Sequence, residues 1–357
     1  MSVKLNILER LKALQHQPGR EHLLGCSICP HFQVCGGISP TEPMFSCREL
    51  CPCTRGEPCN AVCPKHLSNF VRYLREIDGF DLNHLPRLNR LPSNDVAAYA
   101  PLIDRWNRRN APLKTSTVAV PMRMLFSHRT GKSAFQSRDE LLKRFLVSSN
   151  AQLVISGVDE DARVENYWGL ARDAGIVASL KSLNPALVTV PNFSLLSNVP
   201  RHDNLANMKR IAIAWHELIE EGVPTALHVN ARTERDWQRW SDFVREREEV
   251  EWISFEFGTG ARVNHRGDWF AQQLCQMAQN AGRPLRIAIR GAMHLTALRE
   301  SFERVLVIDS TPYHKTLHRQ RACLTPTGEV RWRRGFTLSE QLLDDLLQHN
   351  LDLLIRA

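Results

Sequence analysis

Between Thr117 and Asp309, short apolar runs rich in β-branched residues alternate with longer stretches in which apolar positions recur every three or four residues. The runs are Thr117–Pro121, Leu153–Gly157, Ala186–Pro191, Thr225–Asn230, Trp252–Phe257, Leu285–Arg290 and Val305–Asp309. Their length and near-continuous apolarity predict strands buried on both faces. The intervening stretches predict helices around Glu140–Leu146, Asp161–Ala174, Leu205–Glu221, Glu234–Glu248, Trp269–Asn280 and Leu295–Phe302. Such alternation implies a parallel sheet flanked by helices, with right-handed crossovers. Seven strands, with an eighth expected within Ala322–Arg331, approach a complete barrel. The expected fold class is therefore α/β, a (β/α)8-like TIM barrel. An open doubly wound sheet is the alternative, and no G-x-G-x-x-G follows its first strand.

Upstream of the barrel the pattern changes. Leu67, Phe70, Val71, Leu74 and Ile77 have helical spacing, and Pro86, Pro92, Pro101 and Pro112 interrupt every longer element between Asp81 and Lys114. This stretch reads as a connecting region. The chain thus divides into a cysteine-rich metal-binding module with connecting helices over 1–110 and the barrel over 111–357.

Eight of the ten cysteines lie in the first module: Cys26, Cys29, Cys35, Cys47, Cys51, Cys53, Cys59 and Cys63. The other two, Cys275 in a helical pattern and Cys323 beside an expected strand, read as small packed residues. Converging thiolates with Gly36, Gly37, Pro52, Gly56, Pro58 and Pro64 between them suit a soft metal that the backbone wraps, and eight thiolates suffice for two four-ligand sites. The spacing C-x2-C-x5-C resembles auxiliary-cluster segments of radical enzymes, and Cys63-Pro64 resembles the end of a ferredoxin-type run. Tight spacings such as Cys51-x-Cys53 put an iron–sulfur cluster (4Fe–4S) ahead of zinc, the alternative, for which His31 or His66 could substitute as a ligand. A disulfide-stapled module is a third reading. No C-x3-C-x2-C radical-initiating motif is present.

With 46 Lys and Arg against 38 Asp and Glu, the chain of 357 residues carries a formal charge of +8, which favours a polyanionic partner. Nucleic acid, DNA or RNA, is the expected partner, and protein partners are left open. No stretch is long and apolar enough to span a membrane, and Met1–Lys12 is charged and amphipathic without a signal-peptide core, so the expected location is the cytoplasm.

Active sites of such barrels lie at the C-terminal strand ends, where this chain places Asp159, Asn192, Asn230, Arg232, Glu256, Arg290 and Asp309. Asp309, closing Val305-Leu-Val-Ile-Asp309, is the expected nucleophile or general base, with Asp159 its partner carboxylate or else the N-cap of the following helix. Glu256 and Arg290 are expected to pair. Arg129-Thr-Gly-Lys132-Ser133 lacks the first glycine of a phosphate loop and reads as a flexible basic loop. His314, Arg319 and Arg321, within a basic stretch reaching Arg334 and interleaved with Tyr313 and Trp332, suit backbone phosphates and stacked bases.

The segments Ile289-Arg-Gly-Ala-Met-His294, Val307-Ile-Asp309-Ser-Thr-Pro312, His318-Arg-Gln-Arg321 and Thr327-Gly-Glu-Val-Arg331 resemble the last part of the guanine transglycosylase barrel, the family of the tRNA queuine enzymes and their DNA-modifying relatives. The resemblance implies base exchange: a strand-end Asp, here Asp309, displaces guanine from its sugar and a 7-deazaguanine replaces it, while Asp159 recognises the base. The family's zinc cysteines are absent, since only Cys323 follows Asp309, and Ser156-Gly157-Val158 stands in place of its Ser-Gly-Gly motif. Val190-Pro-Asn-Phe-Ser-Leu-Leu-Ser197 through Leu227-His-Val-Asn230 also resembles uncharacterised proteins of phages and mobile elements. The alternative function is a non-catalytic, metal-containing nucleic-acid-binding protein of a mobile element or defence system.

Overall fold

The computed structural model describes residues 76–92, 95–105, 109–195, 201–258, 267–291, 294–334 and 343–356. The eight cysteines from Cys26 to Cys63, and the expected Leu67–Ile77 helix apart from its last two residues, lie outside them. Two compact units are present. One is drawn from the described parts of Met1–Arg87, Phe193–Ile213 and Val229–Arg247, the other from those of Leu88–Asn192, Ala214–His228 and Glu248–Ala357.

The larger unit holds an eight-stranded parallel sheet: β1 (Tyr99–Pro101), β2 (Thr117–Pro121), β3 (Gln152–Ser156), β4 (Leu187–Thr189), β5 (Thr225–His228), β6 (Trp252–Glu256), β7 (Arg286–Arg290) and β8 (Arg304–Asp309). Each strand pairs in parallel with its neighbour from β2 to β8, and β8 pairs with β1. The bridge between Leu102 and Ala119, with Ile103 N donating to Ala119 O over 2.9 Å, links β1 to β2, which do not pair as a ladder among the described residues. The result is a nearly closed eight-stranded barrel. Ala100, Ala119, Val154, Leu187, Ala226, Trp252, Ala288 and Leu306 supply one buried side chain from each strand to its interior, joined by Val96, Leu102 and Ile308. Small alanines opposite the one large Trp252 fill a narrow lumen without a pore.

All seven predicted strands are present. The eighth is not in Ala322–Arg331, which instead contributes to an antiparallel ribbon of β9 (Gln320–Leu324) and β10 (Val330–Arg334). The barrel's remaining strand is β1, inside the Pro-rich stretch read as a connector. Three residues ending in Pro101 give too short a pattern to register as a strand, and Pro101 is tolerated because its nitrogen faces away from β8, to which the next residue's N, of Leu102, donates.

The helices of the larger unit are α1 (Arg138–Arg144), α2 (Asp161–Asn166), α3 (Ile176–Ser182), the last part of α4 (Arg201–Glu220), α6 (Gly267–Asn280), α7 (Leu295–Ser301), α8 (Thr311–Leu317) and α9 (Asp344–Arg356), while α5 (Glu234–Glu246) belongs to the smaller unit. The expected single helix over Asp161–Ala174 changes to π geometry at Tyr167–Ala171, and α3 follows a left-handed Gly175 with φ of 79°. Such π turns recur at functional sites. Among the described residues, no helix is long and apolar enough to cross a membrane.

In the smaller unit α5 begins with a capping box between Thr233 and Asp236 and buries Trp237, Trp240, Phe243 and Val244. Three cations bond backbone carbonyls of one segment: Arg239 to Phe80 over 2.7 Å, Lys209 to Asp81, and Arg247 to both Leu85 and Pro86.

Candidate functional site at the C-terminal end of the barrel

Strand alternation decides which side chains enter the barrel. Above the apolar interior residues, two positions further along their strands, stand Ser156, Thr189, His228, Ser254 and Arg290, with Glu256 one step above Ser254. The inner end is therefore polar. Thr189 Oγ1 accepts from Gly157 N over 2.9 Å, and Ser254 Oγ lies 3.4 Å from His228 Nδ1. Ser156 is 1% exposed, and its hydroxyl has no hydrogen-bond partner among the described residues. A Cβ on Gly157 would come within 2.4 Å of Thr189 O, so glycine permits the close approach of these two strand ends.

Charged residues stand at this polar end. Arg123, just past β2, bonds Asp104 with one nitrogen and Asp159 Oδ2 with another over 2.5 Å. Burial alone would lower its pKa, but the hydrogen bond it donates to Asp159 and the two carboxylate charges raise it. Asp159 is further held by Glu160 N donating to Oδ1 and by its own N donating to Asn192 Oδ1, both over 2.9 Å. Asp159 is thus an ion-pair partner, and the N-cap of α2 is Glu160, which makes no side-chain capping bond.

Arg290 faces Glu256 across paired strands and donates to Val158 O over 2.5 Å. Burial lowers the guanidinium below its ordinary value, while the charges of Glu256 and then Asp159 act against that. The structure therefore brings together Asp159, Asn192, Glu256 and Arg290. It adds Asp104, Arg123, Ser156, His228 and Ser254, which sequence reasoning missed. The inward set follows from strand alternation once the interior apolar positions are known, each polar residue standing two places after one of them, whereas the Arg123 bridge has no such trace, because its partners are distant in sequence.

A small cleft beside this cluster is lined by Arg123, Asp159, Arg163 and Tyr167 among others, with a volume of about 10 Å³, room for one water. Tyr167 is 1% exposed and its hydroxyl has no partner among the described residues. His128 is held below the usual histidine range by burial and by Arg163, with Asp159 opposing.

Asp309 is placed differently. Leu306 and Ile308 belong to the barrel interior, so Asp309 alternates to the outer face. Its Oδ2 accepts from Tyr99 Oη over 3.1 Å and its Oδ1 from Thr311 N over 2.8 Å. No hydrogen bond or ion pair joins it to Asp159 among the described residues.

Asn230 and Arg232 lie in the smaller unit, where Asn230 Nδ2 donates to Phe193 O over 3.0 Å and Arg232 Nε to Leu195 O over 2.6 Å. His314 is exposed on α8, Arg319 is half-buried at a left-handed turn with φ of 53°, and exposed Arg321 donates to His349 Nδ1 over 3.0 Å. The expected interleaving of aromatics is corrected. Tyr313 is buried and donates to Arg105 O over 2.9 Å, and burial pushes its phenol up to about 12. The loop at Gly131 is ordered by Gly131 N donating to Ser127 O over 2.8 Å, with Arg129 and Lys132 exposed. Cys275 and Cys323 are both half-buried free thiols. Among the described residues, no group of three His, Cys, Asp or Glu is arranged to hold a metal ion.

The chain matches no protein-family model and no curated protein.

Proposed function

We propose that this chain acts on nucleic acid, binding the polymer with the basic surface that follows β8 and exchanging a base at the barrel's C-terminal end. One observation carries the reading. A single stretch of chain runs from a strand-end carboxylate, Asp309, oriented by Tyr99 and by Thr311 N, through α8 with His314 and Lys315, into a ribbon bearing exposed Arg321, Arg331, Arg333 and Arg334. In the exchange that the guanine transglycosylase resemblance implies, the carboxylate attacks the anomeric carbon, guanine leaves, and an incoming base displaces the carboxylate. The polar inner end, with half-buried Glu256 and Arg290, supplies an acceptor and a donor of the kind that read a base edge. Exchange of labelled guanine into tRNA and into duplex DNA tests this. Label incorporated by the native chain and lost in Asp309→Asn supports it. Equal incorporation by the variant, or none by the native chain, refutes the exchange step.

A second reading, nucleic-acid binding without base exchange, is favoured by two placements. Both oxygens of Asp159 are engaged, and Asp309 lies on the barrel's outer face. It predicts affinity that falls with salt and is untouched by Asp309→Asn. In either reading the cysteines from Cys26 to Cys63 hold metal, an iron–sulfur cluster ahead of zinc. Metal analysis and a visible spectrum of protein purified without oxygen test that assignment, and metal-free protein would overturn it.

A further inference from the structure

The two faces of the β9–β10 ribbon differ sharply. On one, Ala322 is buried; its N donates to Asn350 Oδ1 over 2.8 Å and His349 Nε2 lies 3.0 Å from its carbonyl oxygen, so α9 holds the ribbon along the free edge of β9. The other face carries Arg321, Cys323, Arg331 and Arg333. The register sets Arg333 directly opposite Arg321 and Arg331 opposite Cys323. All three arginines are exposed, and Arg321 also donates to His349 Nδ1 of α9 over 3.0 Å. Like charges directly opposite one another weaken a strand pair, and a bound polyanion reverses that cost.

The shape of this face selects among polyanions. Single strands are held by stacking bases on aromatic rings. Here Trp332 points to the opposite face, where Lys315 Nζ lies 5.8 Å from its ring centre, and Tyr313 is buried. The guanidinium face therefore offers no aromatic stacking platform. A two-stranded antiparallel ribbon fits the B-form major groove, roughly 12 Å wide, and guanidinia there bond phosphates or pair bidentately with guanine. The deep, narrow major groove of an RNA duplex excludes the same side chains.

We propose that the β9–β10 ribbon is a duplex-DNA-binding element that lays its Arg321, Arg331 and Arg333 face in the major groove. This rests on the reading that the chain acts on nucleic acid and selects the polymer for it.

The test is fluorescence anisotropy of the full chain with a short labelled DNA duplex, competed by the same sequence as a single strand and as an RNA duplex. The DNA duplex is expected to bind at least roughly tenfold tighter than either competitor. Substituting both Arg331→Ala and Arg333→Ala should reduce the slope of log affinity against log salt by about 2, one per lost phosphate contact. Both positions are exposed and the change removes a like-charge pair, so the melting temperature should not fall, which separates lost binding from lost folding. The Arg331→Lys and Arg333→Lys pair should keep the slope. Equal binding of the single strand or RNA duplex, or an unchanged slope in the alanine pair, overturns the ribbon assignment while leaving nucleic-acid binding intact. No binding to any of the three polymers overturns both.

Discussion

The phenol of Tyr99 donates a hydrogen bond to Asp309 Oδ2 over 3.1 Å, so the barrel's first strand clasps the end of its last by side chains as well as by the ladder. Burial, and then the negative charge of Asp309, push this phenol above its ordinary range.

Tyr99→Phe should cost about 1–2 kcal/mol, the worth of a hydrogen bond to a charged acceptor at a half-buried site. The pH dependence has a definite sign. The folded pKa is raised, so the contribution is complete below the ordinary tyrosine value of 10.0 and declines as pH rises above it, where only the unfolded chain ionises. Denaturant unfolding of both proteins across that range measures the effect. A Tyr99→Phe protein with the same alkaline decline as the native chain would refute it.

Arg123 is the cation shared by Asp104 and Asp159, and the three side chains are 20%, 18% and 10% exposed. Arg123→Leu leaves two carboxylates close together without their common cation and should destabilise by about 2–4 kcal/mol. Adding Asp104→Asn and Asp159→Asn should recover part of the loss. Thermal melts of the single and triple variants decide this, and additive losses would show that the three do not act as a unit.

Gly157→Ala places a methyl group against the Thr189 carbonyl, 2.4 Å away on backbone that cannot rotate aside. A loss of roughly 1–3 kcal/mol is expected. Gly169→Ala, with no atom within 4 Å of the new carbon, is the matched control and should lose nothing. A Gly157→Ala midpoint equal to that of the control would contradict the close approach of β3 to β4.

Lys209 is 1% exposed and donates to the Asp81 carbonyl. Burial lowers its pKa to about 8, with Asp81 and Asp78 acting against that and Arg239 and Arg247 adding to it. Between that value and the ordinary 10.5 the unfolded chain binds more protons than the folded one, so this residue makes stability rise with pH across the window. Lys209→Met should flatten that part of the pH profile. Persistence of the same slope in the variant would assign it to another group.

Seven of the eight barrel strands and six helices were legible because burial on both faces writes a local pattern, continuous apolar runs between helices of 3.6 periodicity. The charge of the stretch from His314 to Arg334 was equally plain. Tyr99–Pro101 was not legible as a strand, since its identity depends on pairing with β8, far away in sequence. Ala322–Arg331 looked like a barrel strand, but its neighbours are β10 and α9.

The strand ends show the same division. The sequence alone determined that polar residues close the apolar runs, which placed Asp159, Asn192, Glu256 and Arg290 at one end of the barrel. Only the tertiary structure decided that Arg123 joins Asp104 to Asp159, that Ser156 and His228 face inward, and that Asp309 turns outward to Tyr99. Those relations depend on strand register, which shifts every side chain to the other face when it moves by one residue. Residues adjacent in space but remote in the chain leave no periodic trace, so ion pairs and facing directions emerge only when the barrel closes.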